Sequence, residues 1–264
     1  MTAPVRIDDP ADPRLEPFRD VRERDLVGRR GLFLAEGEVV VRQALRAGVV
    51  LEALLLLADK HDKLVDLVAA GVSRFVYLVD AAVFDAVAGF PVHRGVLGLG
   101  RRPPDPGADA LLAAAPERAV VVAALGIGNH DNIGGVFRNA AAFGAHAVLL
   151  GATSCDPLYR KAIRVSVGAA LTTPFARLDE DAALPDLLRR HGFAPLALTP
   201  GGGVRLRDVA RPPRAALVLG AEGPGLPPAL LARCTAVTIP MAAGFDSLNV
   251  AVTSGVALHH LAGG

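Results

Sequence analysis

The chain has 264 residues, enough for one large domain or two modest ones, and 52% of them are hydrophobic. No apolar run approaches the ~20 residues needed to cross a bilayer, and the first residues do not resemble a signal peptide, which predicts a cytoplasmic protein without membrane partners. The net charge of +1 excludes a strongly basic field around the whole protein, so nucleic-acid binding would need a local basic patch.

A proline-rich stretch divides the chain into two parts. Residues 103–117 (PPDPGADALLAAAPE) are unsuited to a strand or a long helix, and we interpret them as a linker between domains of residues 1–102 and 118–264. In the first domain, hydrophobic spacing predicts helices at 36–47, 63–70 and 81–88 and strands at 49–57, 75–79 and 95–100. This alternation predicts a small α/β/α sandwich.

The second domain repeats the alternation with longer apolar strands. The predicted strands are 119–125, 147–150, 194–199, 215–220 and 236–240. The predicted helices are 133–143, 157–166, 182–191, 227–232 and 247–261. Buried strands separated by helices predict an α/β fold with a mostly parallel sheet covered on both faces. In such sheets, ligands bind at the carboxyl ends of the strands.

The first candidate site is residues 128–139 (GNHDNIGGVFRN), which follow the strand 119–125. A loop that leads from a strand into a helix directs backbone N–H groups toward an anion. Gly134 and Gly135 allow close backbone approach, and Arg138 lies about one turn further along the helix. Asn132 as a helix cap and Arg138 as a surface ion-pair partner are the structural alternatives. The spacing matches neither a dinucleotide-binding fingerprint nor a P-loop.

Three further glycine-rich loops follow predicted strands. Residues 220–225 (GAEGPG) carry Glu222, which either contacts a ligand or caps the next turn. Residues 244–249 (GFDSLN) open the last helix, where Asp246 or Ser247 is the predicted N-cap and Asn249 bonds either free N–H groups or a ligand. Residues 199–203 (TPGGG) form either a ligand-wrapping loop or a plain surface loop.

The predicted helix 157–166 carries Lys161, Arg164 and Ser166. These side chains form either a basic patch or an ordinary solvated face. Cys155 and Cys234 are the only cysteines, and neither has partners at metal-ligand spacing. We therefore predict two small buried side chains and no metal site.

Three blocks, in this order, resemble the motifs of the SpoU/TrmH family of RNA ribose 2′-O-methyltransferases, within the SPOUT superfamily. They are residues 129–134 with Arg138, residues 219–225, and residues 239–241 with 247–250. The resemblance extends from about residue 120 to residue 261, and three motifs in the correct order are much more specific than any one of them.

The N-terminal domain is similar to the ribosomal-protein-like substrate-binding domain of many family members, most clearly at residues 33–37 (FLAEG). Three positions depart from the family pattern. Asp131 stands where proline or a small residue is common, Asn139 where threonine is common, and Ala251 where serine is frequent. These departures leave the subfamily open.

The resemblance implies a trefoil-knotted C-terminal methyltransferase domain beside the small N-terminal domain, in a homodimer. It implies S-adenosylmethionine as cofactor and RNA as substrate, with ribosomal RNA favoured over transfer RNA. The residues that it implies in cofactor binding are Thr199, Gly201, Gly220, Glu222, Gly223, Ile239, Met241, Ser247, Leu248 and Asn249. Those that it implies in catalysis are Arg138 and Asn129, and those in RNA binding are Asn132, Arg164 and Ser166.

Two other functions are compatible with parts of the sequence. A non-catalytic RNA-binding protein on the same fold would have lost methyl transfer, but Arg138, Glu222 and Asn249 are all intact. A doubly wound nucleotide-binding enzyme would bind phosphate at residues 128–135. This sequence lacks the glycine fingerprint of such enzymes and the acidic residue that binds a ribose in them.

Overall fold

The computed structural model describes residues 3–19, 24–64, 73–89, 95–242 and 247–263. The chain divides into two compact units. The first comprises Met1–Pro103 and Leu158–Thr172, and the second comprises Pro104–Pro157 and Thr173–Gly264. The sequence predicts one continuous C-terminal domain from residue 118 and does not foresee that Leu158–Thr172 groups with the first unit.

The secondary structure alternates strands and helices along the chain. The strands are β1 (Val5–Arg6), β2 (Leu32–Glu36), β3 (Leu51–Leu57), β4 (Ser73–Val79), β5 (Val96–Arg101), β6 (Ala119–Ala124), β7 (Ala147–Leu150), β8 (Phe175–Arg177), β9 (Ala194–Leu198), β10 (Val204–Arg205), β11 (Arg214–Leu219) and β12 (Thr235–Thr238). The α-helices are α1 (Glu38–Arg46), α2 (Ala81–Ala88), α3 (Ala108–Ala113), α4 (His130–Ala142), α5 (Arg160–Val165), α6 (Ala169–Thr172), α7 (Leu184–Arg190), α8 (Pro228–Leu231) and α9 (Val250–Ala262). Short 3-10 helices lie at Pro13–Phe18, Ala58–Leu64, Asp181–Ala183 and Leu206–Asp208, and a π-helix lies at Arg24–Arg29.

The first unit is built on a five-stranded mixed sheet in the order β1-β4-β3-β5-β2. β1 and β3 run parallel to β4, whereas β5 runs antiparallel to β3 and β2. Helices α1 and α2 confirm two predictions. β2 was not predicted, and the predicted helix 36–47 overlaps its last residue, Glu36. The predicted helix 63–70 falls mostly outside the described residues.

The second unit is built on a seven-stranded parallel sheet in the order β10-β12-β9-β11-β6-β7-β8. This confirms the predicted mostly parallel α/β fold. The interior strands are apolar and buried because helices cover both faces of a parallel sheet. Four adjacent strands, β12, β9, β11 and β6, therefore end at one edge, and each is followed by one of the four loops that the sequence indicated.

Two parts of the second unit differ from prediction. The supposed linker contains α3, and its Leu112 is fully buried in the hydrophobic core, so these residues belong to the folded unit. The final helix begins at Val250 rather than at the predicted residue 247. Its N-cap is Asn249 and not Ser247, and Asp246, the other predicted N-cap, lies outside the described residues. No described helix is both long enough and apolar enough to span a membrane.

Candidate functional site

A cavity of about 360 Å³ lies at the carboxyl edge of the second sheet. Its walls come from the ends of β9, β11 and β12, the loops that follow them, and the first turn of α9. Of the ten residues predicted to bind a cofactor, nine line it: Thr199, Gly220, Glu222, Gly223, Ile239, Met241, Ser247, Leu248 and Asn249. The tenth, Gly201, does not; its N–H donates to the Thr199 hydroxyl at 3.1 Å.

The chemistry of the cavity is that of a small-molecule site. Leu198, Leu219 and Val237 supply apolar walls, and loop backbone with one carboxylate, Glu222, supplies the polar groups. Such a combination buries a flat apolar ring and orients its polar edge through a few hydrogen bonds. The carboxylate favours a ligand that carries positive charge.

The loop that carries Glu222 is closed on itself and needs glycine. The Gly225 N–H donates to the Ala221 carbonyl at 3.0 Å. A Cβ on Gly220 would lie 2.5 Å from the Gly225 carbonyl carbon and 2.6 Å from the Leu226 nitrogen, both backbone atoms. Any larger residue at position 220 would therefore displace the loop and the cavity wall that it forms.

Three polar side chains from three separate segments meet beside the cavity. The Asn132 amide Nδ2 donates to Glu222 Oε1 at 2.7 Å, and Asn249 Nδ2 donates to Asn132 Oδ1 at 2.8 Å. Asn132 is only 4% exposed. Both ends of its amide are engaged and it is buried, so Asn132 joins the walls of the cavity. Its contact with RNA stays a prediction.

Two helix N-termini converge on this cluster. Asn129 Oδ1 caps α4 by accepting from the Asp131 N–H at 2.8 Å, and Asn249 Oδ1 caps α9 by accepting from the Ala251 N–H at 2.9 Å. Both helices have 13 residues, so the positive ends of two helix dipoles lie near the Glu222 carboxylate. Asn129 and Asn249 thus have a capping role, which the sequence left open for Asn249.

Helices α4 and α9 are interlocked through two of the positions that depart from the family pattern. Asn139 Nδ2 donates to the Ala251 carbonyl at 2.6 Å and to the Ser254 hydroxyl at 2.9 Å. A Cβ on Gly135 would lie 2.5 Å from the Ala251 Cβ. Asn139 and Ala251, two of the three residues that depart from the family pattern, therefore lie in one contact between the helices.

The predicted catalytic pair does not line the cavity. Arg138 and Asn129 are both exposed on α4 or at its start. Arg138 makes no side-chain hydrogen bond or ion pair with any residue in the described ranges, so its guanidinium is available to an external anion. The catalytic role of both residues stays a prediction.

The loop leading to Asn129 is held by a serine that the sequence did not single out. Ser154 is 5% exposed, and its hydroxyl donates to the Ala124 carbonyl at 2.8 Å and accepts from the Ile127 N–H at 3.2 Å. Arg177 in turn donates to the Gly151 and Ser154 carbonyls at 2.8 and 2.9 Å. No local signal marks Ser154, because its partners lie about 30 residues earlier in the chain.

The predicted RNA-binding residues of helix α5 lie in the first unit. Arg160 Nε pairs with Glu36 at 2.9 Å, and Arg164 lies 3.7 Å from the same carboxylate, which is 4% exposed. Ser166 is 1% exposed and its hydroxyl donates to the Ile163 carbonyl at 2.9 Å. The Ser166 hydroxyl is therefore engaged at the end of the helix, and its contact with RNA stays a prediction.

The cysteines lack the character of reactive or metal-binding groups. Burial raises the pKa of the Cys155 thiol to about 11 and also raises the pKa of Cys234, so both thiols are protonated at neutral pH. Within the described part of the chain, no cluster of three or more histidine, cysteine, aspartate or glutamate side chains has the geometry of a metal site.

Comparison with known proteins places this site in context. Residues 119–259 match the model of the SpoU rRNA Methylase family. An uncharacterized tRNA/rRNA methyltransferase of Mycobacterium tuberculosis is 40% identical over 264 residues, covering 95% of this chain and 89% of the relative.

Two crystal structures share the fold along nearly the whole chain. One is an AdoMet-bound rRNA methyltransferase from Sinorhizobium meliloti, with a TM-score of 0.85 and 24% identity, covering 98% of this chain and 97% of that one. The other is an RNA 2′-O ribose methyltransferase, with a TM-score of 0.79 and 27% identity, covering 97% of this chain and 98% of that one.

Proposed function

The chain belongs to the SpoU rRNA methylase family, and we propose that it transfers a methyl group from S-adenosylmethionine to a ribose 2′-hydroxyl of RNA. We propose ribosomal RNA as the substrate and a homodimer as the active form. The observation that carries the proposal is the cavity at the carboxyl edge of the second sheet, lined by residues of the motif loops and bordered by the Asn132–Glu222–Asn249 cluster. The likeness to an RNA 2′-O ribose methyltransferase supports the choice of reaction.

The residues of the cavity fit S-adenosylmethionine. Leu219, Ile239 and Leu248 suit the faces of an adenine ring, and the backbone at Gly220 and Gly223 is open to close approach by a ribose. When bound, the cofactor supplies a methyl group on a positively charged sulfur. The negative charge of Glu222 offsets the positive ends of the two helices and the positive charge of the cofactor. A trefoil knot around this cavity remains a prediction.

The proposed chemistry assigns Arg138 to the RNA rather than to the cofactor. A ribose hydroxyl is a weak nucleophile, so it must be oriented and must lose its proton during attack. Arginine stays protonated in proteins and is a poor general base. We assign the exposed guanidinium to an adjacent RNA phosphate and to the negative charge developing on the 2′-oxygen, with a phosphate oxygen or a neighbouring group accepting the proton. Asn129 positions the same ribose.

The dimer explains why Arg138 and the cavity are separate within one chain. Val252 and Val256, four residues apart on α9, are 55% and 44% exposed, and Leu248 beside the cavity is 46% exposed. A second copy seated on this apolar face buries these side chains. α4 packs on α9 through Gly135 and Ala251, and we propose that the same approach brings the partner subunit's Arg138 toward the cavity.

The first test is Arg138→Ala. We expect the variant to bind S-adenosylmethionine like the wild type in calorimetry and to transfer no methyl groups to RNA. Normal turnover would overturn the assignment of Arg138, and a wild-type protein that does not bind the cofactor would favour a non-catalytic RNA-binding protein.

A second test asks whether the arginine acts across the dimer. Arg138→Ala is mixed with Gly220→Val, which blocks the cavity through the backbone clash at position 220. Each variant alone is inactive, but a mixed dimer regains one intact site if the arginine comes from the partner. Failure of the mixture, with mixed dimers verified by differential tags, would place both parts of the site in one subunit.

A further inference from the structure

Asn139 is a poor helix former within α4, and its side chain bonds to the neighbouring helix. Its amide Nδ2 donates to the Ala251 carbonyl of α9 at 2.6 Å and to the Ser254 hydroxyl at 2.9 Å. The Ser254 hydroxyl donates to the same carbonyl at 2.7 Å, and Ser254 is fully buried. A Cβ on Gly255 would lie 3.2 Å from Asn139 Nδ2, so the glycine leaves room for the amide. Both amide hydrogens of Asn139 therefore serve one contact between α4 and α9.

This contact is one end of a row of residues along α4. Asn132, Gly135 and Asn139 follow one another at spacings of three and four, so they lie on one face of the helix. At the cavity end, Asn132 Oδ1 accepts from Asn249 Nδ2 at 2.8 Å. In the middle, Gly135 packs on Ala251. Close packing between two hydrogen-bonded ends prevents α4 from rotating or sliding against α9.

Arg138 directly precedes Asn139, so the same contact fixes the point where the arginine leaves the helix. Successive residues of an α-helix are rotated by about 100°, and Arg138 is therefore presented on the flank of α4 when Asn139 faces α9. Its side chain is exposed. Helix α9 carries Asn249 at the cavity and the exposed Val252 and Val256. Holding α4 against α9 thus sets the origin of the guanidinium relative to the cavity and to the proposed dimer face.

We propose that Asn139 is a positioning residue, which holds the backbone of Arg138 in place so that the guanidinium reaches the reacting ribose and its phosphate. Asn139 is not among the described residues that line the cavity, so it acts through Arg138 and not on the cofactor. A displacement of about 1 Å in a reacting group can cost about 100-fold in rate, which makes a fixed origin valuable. The proposal rests on the proposed function, because it names what orients the arginine of that site.

The test is Asn139→Ala, which removes both donors and leaves a good helix former. We expect kcat for methyl transfer to fall about 10-fold to 100-fold. Affinity for S-adenosylmethionine, measured by calorimetry, should stay within about 2-fold, because Asn139 lies about two turns from Asn132 at the cavity. The midpoint of thermal unfolding should fall by about 2–4 °C. Leu187→Ala is the matched control, since Leu187 is partly buried against the core from α7 and should lose similar stability at unchanged kcat.

A double-mutant cycle with Arg138→Lys separates positioning from a merely structural role. Arg138→Lys replaces the planar guanidinium by a flexible ammonium, so adding Asn139→Ala to it should cost at least about 3-fold less in kcat than adding it to the wild type. Equal losses in both backgrounds, a normal kcat for Asn139→Ala, or an equal loss in Leu187→Ala would overturn the role of Asn139.

Two further outcomes also decide. If Asn139→Ala does not fold, Ser254→Ala removes one of the two acceptors, and a lower kcat at unchanged cofactor affinity is then the expected result; a normal kcat would overturn the proposal. A wild-type protein that methylates no RNA overturns the proposed function and the positioning role with it, whereas an active wild type with an additive cycle overturns the positioning role alone.

Discussion

Gly135→Ala tests how closely α4 and α9 must approach for the site to form. The added methyl would lie 2.5 Å from the Ala251 Cβ, whereas carbon atoms in contact lie about 3.5–4.0 Å apart. The helices must therefore separate by about 1–1.5 Å, since the opposing atom belongs to a side chain with no rotamer to change. Overpacking of this size costs about 1–3 kcal/mol, and the better helix propensity of alanine offsets about 1 kcal/mol.

The effect on cofactor affinity should be of the same order as the effect on stability. Asn249, the N-cap of α9, donates to Asn132 Oδ1 at 2.8 Å, and a separation of 1 Å or more, on the order estimated above, breaks this hydrogen bond. We expect S-adenosylmethionine affinity to fall about tenfold, equivalent to about 1.4 kcal/mol. Calorimetry gives the affinity, and urea denaturation gives the free energy of unfolding.

Ala251→Gly is the matched partner, because it removes the atom with which the new methyl collides. The double variant should recover cofactor affinity and most of the lost stability, with a coupling energy of about 1–2 kcal/mol. Additive losses in the two single variants and the double variant would refute the reasoning, since they would mean that the two positions do not share one contact.

Two further predictions concern other parts of the second unit. Ser154→Ala leaves the Ile127 N–H without its side-chain acceptor, so the free energy of unfolding should fall by about 1–3 kcal/mol, and turnover should fall more than cofactor affinity because the loop leading to Asn129 loosens. The exposed neighbour, tested as Thr153→Ala, should leave both unchanged, and an equal loss there would contradict the assignment. Because the pKa of Cys155 is raised from 9.0 to about 11, its contribution to stability is complete below about pH 9 and is lost as the pH rises through about 11. Cys155→Ala should flatten that part of the stability profile measured by urea denaturation; an unchanged slope would contradict it.

Most of the second sheet could be predicted because its signal is local. The strands β6, β7, β9 and β11 are apolar runs, and each was placed within about two residues. The three-residue β8 was missed because it is too short to show a pattern. Helix α3 was missed because prolines and a glycine precede it, although Leu112 buries fully against the core.

The site was predictable only in part, because its decisive contacts are long-range. Loops after parallel strands identified the cavity residues, but the burial of Asn132 depends on partners 90 and 117 residues away in sequence. Likewise, the pairing of Arg160 with Glu36 joins residues 124 apart. No sequence pattern shows that Ser166 is buried, because its burial depends on how α5 ends against α1.

We propose methyl transfer to a ribose oxygen of ribosomal RNA, and one assay tests this proposal directly. The most direct measurement incubates the purified protein with methyl-labelled S-adenosylmethionine and with ribosomal and transfer RNA lacking the modification, then identifies the labelled nucleoside by mass spectrometry. We expect label on the 2′-oxygen of a defined ribosomal RNA nucleotide with the wild type and none with Arg138→Ala. Label on a base, or equal labelling by both proteins, would contradict it.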